Sequence, residues 1–284
     1  MLSNLAEDKW VKILDNDSTL NLTDFDGLKF LKAVEEDVEL ISNSQEIKGT
    51  DGEMVGPSNF GPFNLKLSFS YKTDNIKDYQ LFKSKIRNLI YKRKPYYVVH
   101  SIQPGKKYAV VCEGNAIEDL TNQFGTFEIT FKVYKGYAES LYDTDNYNLS
   151  DGLWQFGSGI LPDSTIKYEH TRQKFEILNG SSDTINPRMR HKLKIYMRLN
   201  APNGFKLINT TTGDIFEYKV ALDSNDRLLI DGAYPWLLHD LQEKRCGRNT
   251  NHGVITLAPG INKFEIWGNV SNTQTKFTFP FIYR

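Results

Sequence analysis

The sequence predicts a mainly β protein: an N-terminal β-sandwich or barrel-like domain with one α-helix, followed by a second β-sandwich. Three observations predict it. Most segments alternate apolar and polar residues with a period of two, which places one set of side chains on each face of a strand. Leu65, Leu67, Phe69 and Tyr71 alternate with Lys66, Ser68, Ser70 and Lys72. Phe127, Ile129, Phe131 and Val133 do the same, as do Leu193, Ile195, Met197 and Leu199. A single segment has helical spacing instead, and a polar, glycine-containing stretch near the middle divides the chain.

The helical segment runs from Asp74 to Tyr91, with Ile76, Tyr79, Phe82, Ile86, Leu89 and Ile90 on one face. Asp74 or Asn75 suits the N-cap. Lys92, Arg93 and Lys94 follow the last turn, where cations oppose the helix dipole, and Pro95 ends the pattern. The cluster Lys83, Lys85, Arg87, Lys92, Arg93 and Lys94 is therefore read as the wet face and end of this helix. Contact with DNA or with an acidic partner surface is the other reading.

The domain boundary falls in the polar run Asp143–Asn148, which Gly152, Gly157 and Gly159 follow. This gives domains 1–145 and 146–284. Their charges differ in sign: 18 Lys/Arg against 22 Asp/Glu in the first, 17 against 13 in the second. The first 53 residues hold 5 basic and 13 acidic side chains, so an acidic N-terminal arm is expected. Opposite-signed halves help orient copies of a chain in an assembly.

Over the whole chain, 35 Lys and Arg balance 35 Asp and Glu, against the cation excess that a dedicated nucleic-acid binder needs. The two cysteines, Cys112 and Cys246, make neither a disulfide framework nor a zinc site. The first thirty residues contain no apolar stretch of the secretory kind. The longest uncharged apolar run, Tyr96–Val99, is far short of the ~20 residues of a membrane span. A chain folded in a reducing cytoplasm, without a membrane anchor, is expected.

Catalytic patterns are scarce. His100, His170, His191, His239 and His252 show no metal-binding helical spacing. There is no nucleophile elbow, and Gly157-Ser158-Gly159 does not replace one; no phosphate-binding glycine loop occurs either. The expectation is no enzyme, no cofactor and no metal. Large rings in the second half (Trp154, Trp236 and Trp267, with Tyr234 and Phe205) could stack on sugars, although such rings more often fill sandwich cores. Trp154, Trp236 and Trp267 are the candidate sugar-stacking residues.

The order of segments then resembles a known family. An acidic N-terminal region leads to a glycine-containing loop, Gly52-Glu53-Met54-Val55-Gly56-Pro57. The strand Phe63–Tyr71, the lone helix, a strand ending at Val99, the turn Gln103–Lys107, the strand Tyr108–Glu113 and the run Gly125–Phe131 follow. In the second half come Leu228-Leu229-Ile230-Asp231-Gly232 and Leu257-Ala258-Pro259-Gly260-Ile261-Asn262, then Phe277–Tyr283. Pro259-Gly260 supplies the fixed φ and the positive φ of a type II turn. This order resembles the phage distal tail proteins of Gram-positive hosts, whose second domain is a galectin-like, jelly-roll type β-sandwich.

The resemblance implies a virion structural protein of the tail tip or baseplate, assembled in the host cytoplasm. It implies a homo-hexamer ring that joins the tail tube protein to the tail-associated hub and offers receptor-binding proteins a platform. DNA would pass through a central channel without specific binding. No inserted sugar-binding module is visible in the sequence. The alternative is a carbohydrate-binding host-wall adhesin acting through the second sandwich, and a wall-degrading enzyme is a weaker third.

Overall fold

The computed structural model describes residues 9–15, 18–74, 76–119, 123–147, 166–239 and 242–284. The chain divides into two compact units, Met1–Glu139 with Arg284, and Ser140–Tyr283. Asn75, one of the two N-cap candidates, and the glycines of the expected linker lie outside the described residues.

In the first unit the strands are β1 (Val11–Asp15), β2 (Ser18–Asn21), β3 (Leu28–Glu35), β4 (Leu40–Glu46), β5 (Glu53–Phe60), β6 (Phe63–Lys72), β7 (Tyr96–His100), β8 (Lys106–Asp119) and β9 (Phe124–Ser140). The main sheet has the order β2-β1-β7-β8-β9-β6-β3. The 3-10 turn Leu22–Asp24 packs on both β1 and β3, with Leu22 fully buried, so the sheet curls toward a half-closed barrel. Two expectations change here. The stretch read as an acidic arm supplies β1, β2 and β3, in which Asp15 and Glu35 are exposed while Val11, Ile13, Leu28 and Phe30 face inward. The segment Gly52–Pro57, read as a loop, is mostly strand β5, whose backbone pairs with β4.

Period two is realised in β6, whose burial alternates along its whole length. Its inward residues meet those of β9 and of helix α1 (Ile76–Ile90). Tyr71 stacks on Tyr79 with centroids 5.0 Å apart and on Phe82 at 5.6 Å, while Phe69 stacks on Phe127 at 5.2 Å. Tyr79, Phe82, Ile86 and Ile90 are buried, each contributing about 1.5–3 kcal/mol by leaving water. The outer face of the helix carries Lys77, Lys85 and Arg87, so these basic residues are its wet side. The Tyr96 hydroxyl donates to the Ile90 carbonyl at 2.5 Å, satisfying one of the last-turn acceptors that a helix leaves open.

Two titratable groups sit in this core. Lys135 donates to Glu139 at 2.7 Å and to the Tyr97 hydroxyl at 3.1 Å. Burial pulls the Lys135 ammonium down, but Glu139 and Tyr97 hold it above its ordinary range. His100 is different: it stacks on Tyr108 at 5.6 Å, and neither of its ring nitrogens has a hydrogen-bond partner. Burial, then Lys106, pushes its pKa down to about 4.

The second unit is a two-layer sandwich. Its strands are β10 (Glu169–His170), β11 (Lys174–Asn179), β12 (Lys194–Asn200), β13 (Phe205–Asn209), β14 (Asp214–Tyr218), β15 (Arg227–Asp231), β16 (Tyr234–His239), β17 (Gln242–Arg245), β18 (Gly260–Trp267), β19 (Ser271–Thr278) and β20 (Ile282–Tyr283). One sheet has the order β10-β19-β12-β15-β16-β17 and the other β11-β18-β13-β14. Phe277 of the first packs on Phe264 of the second at 4.8 Å, and Phe175 stacks on Phe264 at 5.5 Å.

The Pro259-Gly260 turn is built as expected, with Gly260 at φ +87°. Three buried asparagines clamp the segment around it. Asn262 accepts from the Ala258 N–H at 2.9 Å and donates to the Ala258 carbonyl at 2.7 Å. Asn209 donates to Asn262 Oδ1 at 3.1 Å and to the Thr256 carbonyl at 2.8 Å, and Asn179 donates to the Leu257 carbonyl at 2.9 Å.

Asn262→Ala leaves the Ala258 N–H and the Asn209 amide without these bonds, and a loss of about 2–4 kcal/mol in urea unfolding is expected. For His100 the sign follows from its lowered pKa. The unfolded chain takes up a proton near pH 6.5 and the folded one only near pH 4, so acid favours unfolding across that window. Stability is expected to fall by up to about 3 kcal/mol from pH 7 to pH 4 on this account. His100→Phe should flatten that part of the slope when unfolding is measured at several pH values.

Candidate assembly interface

Hairpin β4–β5 forms a two-stranded sheet of its own. Such a hairpin is marginal in water unless something packs on it. Its apolar residues are not tucked away: Leu40, Ile41, Met54, Val55 and Phe60 are all exposed, Val55 at 73%. Ile47 at the tip is exposed too. At about 3.3 Å per residue, each seven-to-eight-residue strand is about 25 Å long.

The hairpin has a defined shape. Its register shifts between Ser42 and Ser44. There Gly56 is obligatory, since a Cβ would lie 2.2 Å from the Asn43 carbonyl oxygen. The Asn43 amide donates to the Pro57 carbonyl at 3.1 Å, and Pro57 itself has no N–H to leave unpaired. At the base, Gly61 N–H donates to the Glu39 carbonyl at 2.8 Å and Glu36 N–H to the Asn64 carbonyl at 2.9 Å.

Beside it, β3 ends the main sheet at one edge and β2 at the other. Strand β3 is eight residues long, and its Leu31 and Val34 are exposed. Edge strands carry unpaired N–H and C=O groups that recruit further strands. Lys29, Lys32 and the bulge between Phe30 and Lys32 restrict which strands fit. Among the described residues no strand pairs with the outer side of β3, where the Lys9 ammonium donates to the Leu31 carbonyl at 2.9 Å, and the exposed apolar hairpin follows this edge in the chain.

The candidate sugar-stacking residues are not brought together. Trp236 lies half-buried on the six-stranded sheet, while Trp267 stands 56% exposed at the end of β18 in the other sheet, its indole N–H donating to Glu265 at 2.7 Å. Trp154 is outside the described residues. Phe205 is buried in the core. Among the described residues no group of three or more His, Cys, Asp or Glu is placed to hold a metal ion. No described helix is long and apolar enough to cross a membrane.

Comparison with known proteins agrees with this geometry. Residues 18–133 match the family model of the phage tail protein RIFT-related domain. This segment of the chain thus resembles a phage tail domain. The β4–β5 hairpin and the first sheet's strands, except β1 and the end of β9, fall within the matched segment. Among solved structures, the Dit protein of phage SPP1, described as a paradigm of the hub adsorption apparatus in phages infecting Gram-positive bacteria, matches with a TM-score of 0.64. The identity is 10%, covering 95% of this chain and 99% of that one. The chain therefore has the fold of that protein over nearly its whole length. Two structures of the phage p2 baseplate in its activated conformation, with Ca and with Sr, match at TM-score 0.45, with 11% and 12% identity over 95% and 96% of this chain and 98% and 97% of theirs. No curated protein matches the sequence significantly.

The covering of the hairpin is testable in isolation from any biological assay. Val55→Asp with Met54→Asp should leave the melting temperature within a few degrees, because neither side chain is in a core, while abolishing binding of a hydrophobic dye to the patch. Core variants such as Phe69→Ala should cost about 3–5 kcal/mol in the same unfolding measurement.

Proposed function

We propose that this chain is a non-enzymatic ring former: six copies close into a hexamer that joins the tail tube protein to the tail-associated hub and gives receptor-binding proteins a platform. The domain of residues 1–145 makes the ring, and DNA passes through its channel without specific binding. The ring assembles in the host cytoplasm and ends in the virion. The observation that carries this reading is the exposed apolar hairpin beside the open β3 edge. In a cyclic ring one patch meets a different patch on the neighbour. A hairpin from one copy and a sheet edge of the next are such a pair. The balanced charge of the chain supports a channel that lets DNA pass rather than gripping its phosphates.

Light scattering after size exclusion tests this on the full chain. The expected mass is six times 32.7 kDa, with a sixfold ring by negative-stain imaging. Val55→Asp with Met54→Asp should shift the mass to that of one copy while the circular dichroism spectrum is unchanged. A wild-type chain that stays at a single copy at every concentration overturns the reading, as does a double variant that still forms the ring.

A further inference from the structure

On the outer face of the six-stranded sheet, strand pairing sets five residues in one row: Lys276, Tyr196, Leu229, Trp236 and Arg245. The row ends at Arg245 on the edge strand β17. There the guanidinium lies over two rings, 4.9 Å from the Trp236 centroid and 5.3 Å from that of Tyr234. Two rings of the neighbouring strand thus hold the planar group, whose N–H fork suits a phosphate or carboxylate. No carboxylate pairs with Arg245 or with Arg248 among the described residues.

Next to this arginine is an open pocket of about 650 Å³ lined by Tyr234, Arg245, Arg248, Asn249 and His252 among others, and by no acidic residue. Its wall is rigid. The turn Gly247–Asn249 is tied by the Thr250 hydroxyl to the Gly247 carbonyl at 2.8 Å. His252 is held at φ +57°, a left-handed conformation uncommon outside glycine, asparagine and aspartate. Asn251 fixes it there, accepting from the Glu217 and Gly253 N–H groups at 3.0 and 2.9 Å. Strain of this kind persists where surroundings over-determine it, and it concentrates at ligand sites.

We propose that this pocket, continued along the Tyr196–Trp236 row, binds an anionic polysaccharide. Arg245 and Arg248 take the phosphate or carboxylate, and the exposed Tyr234 ring lies against a sugar. Tyr196 and Trp236 sit two strands apart, about 10 Å, which spans more than one sugar unit. A nucleic acid fits less well. It needs an unbroken stripe of cations, and on this face Glu169, Asp231 and Glu243 interrupt Lys276, Lys194, Arg227 and Arg245.

Calorimetric titration of the full chain at about 0.15 M salt tests the proposal. The probes are a phosphodiester-bearing mannan oligosaccharide, the same oligosaccharide without phosphate, an oligogalacturonate and oligo(dT). Binding of the phosphorylated glycan, the oligogalacturonate or both is expected, and which of them binds identifies the anion. Arg245→Ala and Arg248→Ala should each weaken it by about tenfold or more. Arg245→Lys should not restore it, since an ammonium lacks the planar fork that stacks on a ring and bonds an anion in bidentate fashion. Trp267→Ala, on the other sheet, should bind as the wild type does. The proposal is overturned if neither charged glycan binds, if the unphosphorylated oligosaccharide binds equally well, or if oligo(dT) binds more tightly. It is also overturned if Arg245→Ala and Arg248→Ala, with unchanged melting, bind as before.

Discussion

A strand satisfies its peptide groups sideways, so every sheet that does not close on itself ends in two rows of unmet donors and acceptors. In the first unit those rows belong to β2 and β3. The four-residue β2 offers little, whereas β3 is twice as long and carries exposed Leu31 and Val34. The hairpin that follows β3 in sequence adds more apolar surface, of which the Phe60 ring carries the Arg284 guanidinium at 3.6 Å. Edges of this kind recruit further strands, and the proposed ring of identical neighbours would use each edge once. Bulges in β3 and in the hairpin narrow the set of strands that can dock.

Buried polar groups are treated in opposite ways by the two units. In the sandwich, Asn179, Asn209 and Asn262 are almost fully inaccessible, yet their amides bond to the backbone of Thr256–Gly260 or to each other. They replace a regular ladder where the chain turns into β18. In the first unit His100 is held between aromatic rings with no partner at all, which is tolerable only while the imidazole is neutral. The first arrangement fixes a turn at any pH; the second ties the core to the proton concentration.

Trp236 and Trp267 of the sandwich show how little residue type says by itself. Trp267 is the more accessible, but its neighbours are Lys206 across the ladder and the Glu265 carboxylate. Trp236 is less accessible and more useful, because the β16–β17 pairing lays a guanidinium on its ring and a rigid, acid-free turn stands next to it.

The alternation in β6, β9 and β12 and the 3.6-residue spacing of Tyr79, Phe82, Ile86 and Ile90 are local properties, so the strands, the helix and the Pro259-Gly260 turn were legible in the amino-acid order. So was the resemblance to phage distal tail proteins, carried by the succession of those elements. Residues 53–60 were not legible as a strand, since Gly56 and Pro57 are poor strand formers and only pairing with β4 compensates them. Nor was the location of the acids near the N-terminus, which ride on strands fixed by β7 and β6. Which residues become neighbours across a sheet depends on registers between segments up to about a hundred positions apart. No local pattern encodes that distance, and so the contact of Arg245 with two rings, the position of β3 at a sheet edge and the asparagine clamp were decided by tertiary packing alone.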